Sequence, residues 1–409
     1  MQGVMRDALG EVEAPGEERV FFQQFQVAFE YPVYFTRDLF APGNSTFSGL
    51  IRHLGGQGKA KLAIFVDDGV LREMPDLIRR IRSFGAQADD EASDQASFEI
   101  VGDIMPLRGG EQAKNEPGLV AELQKKLVEL GLDRHSYVVA IGGGAVLDLV
   151  GYAAATTHRG IRHIRVPTTV LAQNDSGVGV KNGVNAFDIK NLLGSFAPPA
   201  AVINDSAFID VLPGRDKRAG MSEAVKVALI RDGAFFEWLE ETVEDLAIFS
   251  SKPLDRLIRH CAVLHMRQIA HGGDPFERGS VRPLDFGHWS AHKLEALSDY
   301  DLRHGEAVAI GIALDTRYSV LAGHLPEGSD VRVRNLLERL GFELWHPACD
   351  IRNAQGELKL LDGLEEFRAH LGGELTVTLL EEIGTGVEVH RMDPVLIKQA
   401  LEWLRPEVR

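Results

Sequence analysis

Cysteine is nearly absent. Cys261 and Cys349 are the only two in 409 residues, so no disulfide framework can hold this fold, and a reducing cytoplasm is the expected setting. Positive charge is also in deficit: 44 lysines and arginines face 60 aspartates and glutamates, a net charge of −16. That balance excludes a general affinity for nucleic acid or an anionic membrane, and an anionic small molecule would need a local basic pocket. No apolar run is long enough to span a bilayer. The first residues carry Arg6, then Asp7, Glu11, Glu13, Glu17 and Glu18, without the apolar stretch of a signal peptide. Residues 1–24 are therefore expected to be a loose, solvated tail.

What remains is an ordinary folded composition, 44% hydrophobic and 25% charged, long enough for two domains. Apolar runs at 61–67, 137–141 and 164–167 read as buried strands. The four-residue spacing of Leu119, Leu123 and Leu127 predicts a helix over 118–130. Further helices are expected at 75–84 and 145–157, with a loop at 85–97. Strands alternating with helices predict a parallel sheet covered on both faces. After Pro213 the texture turns helical, over 217–248, 253–271, 286–297, 304–322 and 330–341. A boundary near 210 gives an α/β dinucleotide-binding half over 25–210 and a mostly α-helical half over 211–409. The glycines 142–144 fall between a strand and a helix, where backbone amides and the helix dipole can receive a pyrophosphate. Leu147 takes the last glycine position of GxGxxG, so this turn alone does not distinguish a nucleotide site from any tight α/β turn.

The longer stretch IGGGAVLDLVGYAAATTHRGIRHIRVPTTVLAQNDSGVGVKNGVNAFDIKNLLGSF resembles the 3-dehydroquinate synthase superfamily of sugar phosphate cyclases. So do PGRDKRAGMSEAVKVALI, DFGHWSAHKLE and LRHGEAVAIG, in family order from about residue 60 to 390. The resemblance implies an NAD site built from Asp67, Glu111, Lys114, Gly143, Gly144, Asp148, Thr168 and Thr169. Ribose hydroxyls favour a carboxylate acceptor and phosphates favour amide and hydroxyl donors, which suits that set. By spacing alone, His288 and His292 would be the first metal pair to suspect, one helical turn apart. The resemblance instead makes Glu223, His288 and His304 the ligands of Zn2+ or Co2+ and places His292 in the substrate pocket.

It also implies substrate or phosphate contacts at Lys181, Lys190, Asn191 and Lys226, with Arg159 reaching a neighbouring subunit in a homodimer. Asp175 would orient either Lys181 or a substrate hydroxyl. The implied cycle is transient oxidation of a hydroxyl, loss of phosphate, re-reduction and aldol closure, with no net redox change. Two departures bear on substrate. His265 stands where dehydroquinate synthases have a lysine for the substrate carboxylate, and Arg282 precedes Asp285 by three residues where the family has an arginine four before an asparagine. An aspartate facing a carboxylate would repel it, whereas it accepts hydrogen bonds from hydroxyls well. With VRPLDFGHW, these changes look like the branch acting on sedoheptulose 7-phosphate. Asp285 could instead cap a helix starting at 286. A late phosphate-binding lysine has no clear counterpart, Arg368 being the nearest. The alternatives are a 3-dehydroquinate synthase proper and a metal-dependent polyol dehydrogenase.

Overall fold

The computed structural model describes residues 9–13, 19–55, 59–90, 98–187, 189–276 and 283–406. It divides into two units, 1–31 and 32–409. In the first, β1 (Leu9–Glu13) and β2 (Arg19–Gln23) pair as an antiparallel hairpin, where a loose tail was expected. Acidic residues suggested solvation, but Val20, Phe21 and Phe22 favour extended pairing.

The second unit contains a parallel sheet of β3 (Val33–Thr36), β4 (Ala60–Asp67), β5 (Phe98–Ile100), β6 (Met105–Leu107), β7 (Tyr137–Gly142), β8 (Arg162–Pro167) and β11 (Ala201–Asp205). Its order is β3-β11-β8-β7-β4-β5, with β6 also beside β4. Every residue of β7 is buried, and its side chains divide by period two between the two faces. Tyr137, Val139 and Ile141 join one apolar core, while Val138 and Ala140 join the other. The Gly144–Thr156 helix covers the second face through Val146, Leu149, Val150 and Ala153. The Leu77–Asp90 helix runs into the stretch 85–97 that was expected as a loop, of which 91–97 lie outside the described residues, and after β8 comes a hairpin of β9 (Lys181–Ala186) and β10 (Ile189–Phe196).

Beyond β11 the chain is helical apart from a hairpin of β12 (Val377–Glu382) and β13 (Thr385–Val389). The unit 32–409 continues through residue 210 without a break. The single helix expected over 217–248 is four: Gly214–Ala219, Met221–Arg231, Gly233–Glu241 and Val243–Ala247. Asp232 makes one break by accepting the Phe235 amide at 3.0 Å, a side-chain cap that competes with continued helix. The His304–Leu321 helix lies deep in the core. At Gly311 an added Cβ would fall 2.0 Å from the Gly287 carbonyl oxygen, so the small residue lets this helix meet the start of the His288–Leu297 helix. That approach brings His288 and His304 together.

Candidate active site

A cleft of about 1540 Å³ lies at the carboxyl ends of β4 and β7, where the strand order reverses and an open α/β sheet leaves a crevice. Asp67, Glu111, Lys114, Gly143, Gly144, Asp148, Thr168 and Thr169 all line it. Asp67 ends β4 and accepts the Gly69 amide at 2.8 Å. Burial raises its pKa, opposed by the Gly69 and Gly143 amides. An alanine Cβ at Gly109 would sit 2.3 Å from Asp67 Oδ1, so the bare backbone leaves the carboxylate its place. Gly143 begins the Gly144–Thr156 helix with no side-chain cap on its first amides. Beside them, Ser176 Oγ is buried and finds no hydrogen-bond partner among the described residues. Uncapped amides, a spare hydroxyl and a ribose-suited carboxylate fit a dinucleotide. Lys114 is buried, donates to Asp148 Oδ2 at 3.0 Å and to Asn191 Oδ1, and so ties this half of the cleft to β10.

The three expected metal ligands come together from three helices. Glu223 Oε1 lies 3.8 Å from His288 Nε2 and 3.7 Å from His304 Nε2. That oxygen is buried and has no hydrogen-bond partner among the described residues. Each imidazole is set with its other nitrogen outward: His288 Nδ1 donates to the Phe286 carbonyl at 3.1 Å, and His304 Nδ1 to Glu295 Oε2 at 3.0 Å. Burial, then the Lys226 charge, lowers the His288 pKa and keeps it neutral. One orphaned carboxylate oxygen and two free Nε2 lone pairs are a donor set suited to a divalent ion. His292, Glu295 and His304 form a second grouping of comparable size. There, however, Glu295 is already committed to His304 Nδ1 and, at 2.9 Å, to Lys190 Nζ. His292 itself is exposed on the cleft wall.

Around the triad, buried Lys226 is ion-paired with Glu223 Oε2. Burial works against its charge, but Glu223 and then Asp175 hold its pKa above the ordinary lysine value. Asp175 Oδ1 pairs with His265 Nδ1 at 2.7 Å. Burial would raise the Asp175 pKa, yet His265 and Lys226 pull it well below the usual carboxylate range. Its partner is thus a residue that was expected to make a separate substrate contact. Lys181, Lys190, Asn191 and Asp285 line the same cleft. Asp285 ends a short 3-10 turn, and the following helix starts at His288 with Gly287 as its N-cap, so Asp285 is not the cap.

One expected contact does not join this group. Arg368 lies outside the cleft, held by Glu365 Oε2 at 2.8 Å and the Gly373 carbonyl at 3.0 Å. Its charge is satisfied on an exposed helix end, so it is not brought to a phosphate. Arg159 is exposed on a turn, with φ of 62°, away from the cleft lining. Arg282 lies outside the described residues. Conversely, two residues escaped the sequence reading. Glu295 stands seven residues after His288, on the same helical face, a spacing that could have flagged it. Arg165 interrupts the apolar strand β8 and is fully buried. Its guanidinium donates to the carbonyls of Gly177 at 3.1 Å, Gly179 at 2.9 Å and Lys181 at 2.8 Å, and to Asn182 Oδ1 at 2.8 Å.

Residues 104–219 match the 3-dehydroquinate synthase N-terminal family and residues 220–360 its C-terminal counterpart. A 3-dehydroquinate synthase of Cereibacter sphaeroides is 33% identical over 365 residues, 87% of this chain and 93% of that protein. A 2-epi-5-epi-valiolone synthase of Streptomyces glaucescens is 38% identical over 283 residues, covering 68% and 71% of the two chains. Among solved structures, the 2-epi-5-epi-valiolone synthase ValA of Streptomyces hygroscopicus, with NAD+ and Zn2+ bound, superimposes with a TM-score of 0.81 at 26% identity, over 94% of this chain and 99% of that one.

Proposed function

The chain belongs to the 3-dehydroquinate synthase family of sugar phosphate cyclases, and within it we propose an enzyme that converts sedoheptulose 7-phosphate to a carbocyclic cyclitol with loss of phosphate. Asp67, Glu111, Asp148, Thr168, Thr169 and the Gly143–Gly144 turn would hold NAD, and Glu223, His288 and His304 a divalent ion. When bound, NAD supplies a hydride acceptor that later returns the hydride, and the ion a Lewis acid for the hydroxyl being oxidised. The protein's own groups do the rest. Lys181 and Lys190 are cations for the phosphate, which leaves as an anion. Burial raises the Glu223 pKa, and the Lys226 charge beside it opposes that rise. The Asp175–His265 pair can accept a substrate hydroxyl proton and hold it at the histidine ring.

The observation that carries the choice of substrate is Asp285 on the cleft wall, alongside His265 bound to Asp175. A substrate carboxylate there would meet the Asp285 and Asp175 charges, while a hydroxymethyl group would meet hydrogen-bond acceptors. The likeness to two valiolone synthases supports the same reading. The second reading, 3-dehydroquinate synthase proper, is favoured by the name carried by the Cereibacter relative. The exposure of Arg159 supports its serving a neighbouring subunit in a homodimer. Among the described residues no helix is long and apolar enough to cross a membrane. The test is phosphate release by the protein loaded with NAD and Zn2+, comparing sedoheptulose 7-phosphate with 3-deoxy-arabino-heptulosonate 7-phosphate. Release from the first alone is expected, and Asp285→Asn should narrow the preference. Release from the carboxylated sugar alone would reject the assignment.

A further inference from the structure

We infer that Glu295 is a positioning residue that sets the metal ligand His304 and the cleft lysine Lys190 at once, an inference that rests on the cyclase reading above. Glu295 is 4% exposed, and its two carboxylate oxygens have separate duties. Oε2 accepts from His304 Nδ1 at 3.0 Å, and Oε1 accepts from Lys190 Nζ at 2.9 Å. The first bond places the His304 proton on Nδ1 and leaves the Nε2 lone pair facing Glu223 Oε1, 3.7 Å away. A carboxylate behind a ligating imidazole orients the ring and makes it a better donor to a cation. His288 has only the neutral Phe286 carbonyl in that position, so the two histidines are supported unequally. The second bond restrains a lysine whose stem is otherwise free to rotate and which sits on the β9–β10 hairpin rather than on a helix. One side chain therefore fixes the distance between the metal centre and the cation meant for phosphate.

Glutamine at 295 has one acceptor oxygen, and its amide N–H groups would face either His304 Nδ1–H or the Lys190 ammonium. At least one link must break. Aspartate keeps the charge but is one methylene shorter and cannot span both partners from the same backbone position. Zn2+ affinity of the apo protein would be measured by competition with a chelator, with the visible absorption of the Co2+ form as a check on ligand geometry. Affinity for inorganic phosphate would be measured by calorimetry on the protein loaded with NAD and Zn2+. Glu295→Gln and Glu295→Asp should each weaken Zn2+ by about tenfold to a hundredfold, alter the Co2+ spectrum and weaken phosphate. Lys190→Met should weaken phosphate while leaving Zn2+ affinity and the Co2+ spectrum as in wild type. Wild-type affinity for either probe in both Glu295 variants overturns the inference. Glu223→Ala separates this from failure of the metal site itself. Loss of Zn2+ in that variant keeps the site, whereas its retention would overturn site and inference together.

Discussion

Arg165→Met asks how the loop between the cofactor crevice and the substrate hairpin is held. Methionine keeps the apolar stem of a fully buried side chain and removes every donor. The carbonyls of Gly177 and Gly179 and the Asn182 side chain, at 3.1, 2.9 and 2.8 Å from the guanidinium, would then need new partners in buried surroundings. A buried acceptor left without its bond costs about 1–3 kcal/mol, and release of a buried cation returns part of that. A net loss of about 4 kcal/mol follows. At an unfolding entropy of about 2.1 cal/mol/K per residue, the 32–409 unit would melt roughly 5 °C lower. The loop also carries Asp175 and Lys181, so kcat should fall further than stability explains. A displacement of about 1 Å at a reacting group is enough for roughly a hundredfold. NAD affinity should fall less than turnover, because β4, β7 and the Gly143 turn are untouched and the held loop brings only the Ser176 hydroxyl to the cofactor site. Thermal unfolding, NAD titration and turnover of one preparation give all three readouts. A variant melting within about 1 °C of wild type, or turning over at the wild-type rate, would refute the positioning role.

Gly109→Ala should weaken NAD by at least about tenfold, 1.4 kcal/mol, with little change in melting, because the new Cβ displaces the Asp67 carboxylate rather than a core side chain. Fluorescence titration with NADH checks this. His304→Ala should lose bound Zn2+ by elemental analysis and lose turnover with it, since Glu223 and His288 alone make a poor site. Asp315, buried beneath Gly287 and Trp289, gives a pH prediction, because burial raises its pKa to about 7 from the ordinary aspartate value of 3.8. Between those values the folded protein keeps a proton that the unfolded chain has released, so this contribution is full below the lower value and is lost as pH rises through the upper one. It amounts to about 4 kcal/mol. Wild type measured against Asp315→Asn should lose that much relative stability in denaturant unfolding between acid and mildly alkaline pH. A pH-independent difference would contradict it.

The sheet was legible because its strands carry their signal locally. β4 and β7 are continuous apolar runs ended by Asp67 and by the glycine turn, and both were placed within a residue or two. The breaks at Gly220, Asp232 and Thr242 were not legible, since apolar spacing continues across them and only the cap geometry of Asp232 reveals a stop. The proposed metal triad shows the limit of spacing more sharply. Its members lie far apart in the chain and were gathered by the family resemblance, whereas spacing alone points to His288 and His292. The Asp175–His265 pair and the Glu295 bridge are contacts between elements distant in sequence. They depend on how the Ser251–His271 and His288–Leu297 helices face the loop and the hairpin, which no local pattern encodes. Arg368 failed for the converse reason: a cation near the expected place in the chain was satisfied by its own helix end.

The proposed cyclase would use NAD without consuming it, so inorganic phosphate and NADH absorbance are followed together in one reaction. The protein, loaded with NAD and Zn2+, is given sedoheptulose 7-phosphate. Phosphate should appear in many turnovers per enzyme while NADH stays at or below the enzyme concentration, and removal of the metal should stop both. NADH accumulating in step with substrate loss, without phosphate release, would contradict the account and make this protein a dehydrogenase on the same fold.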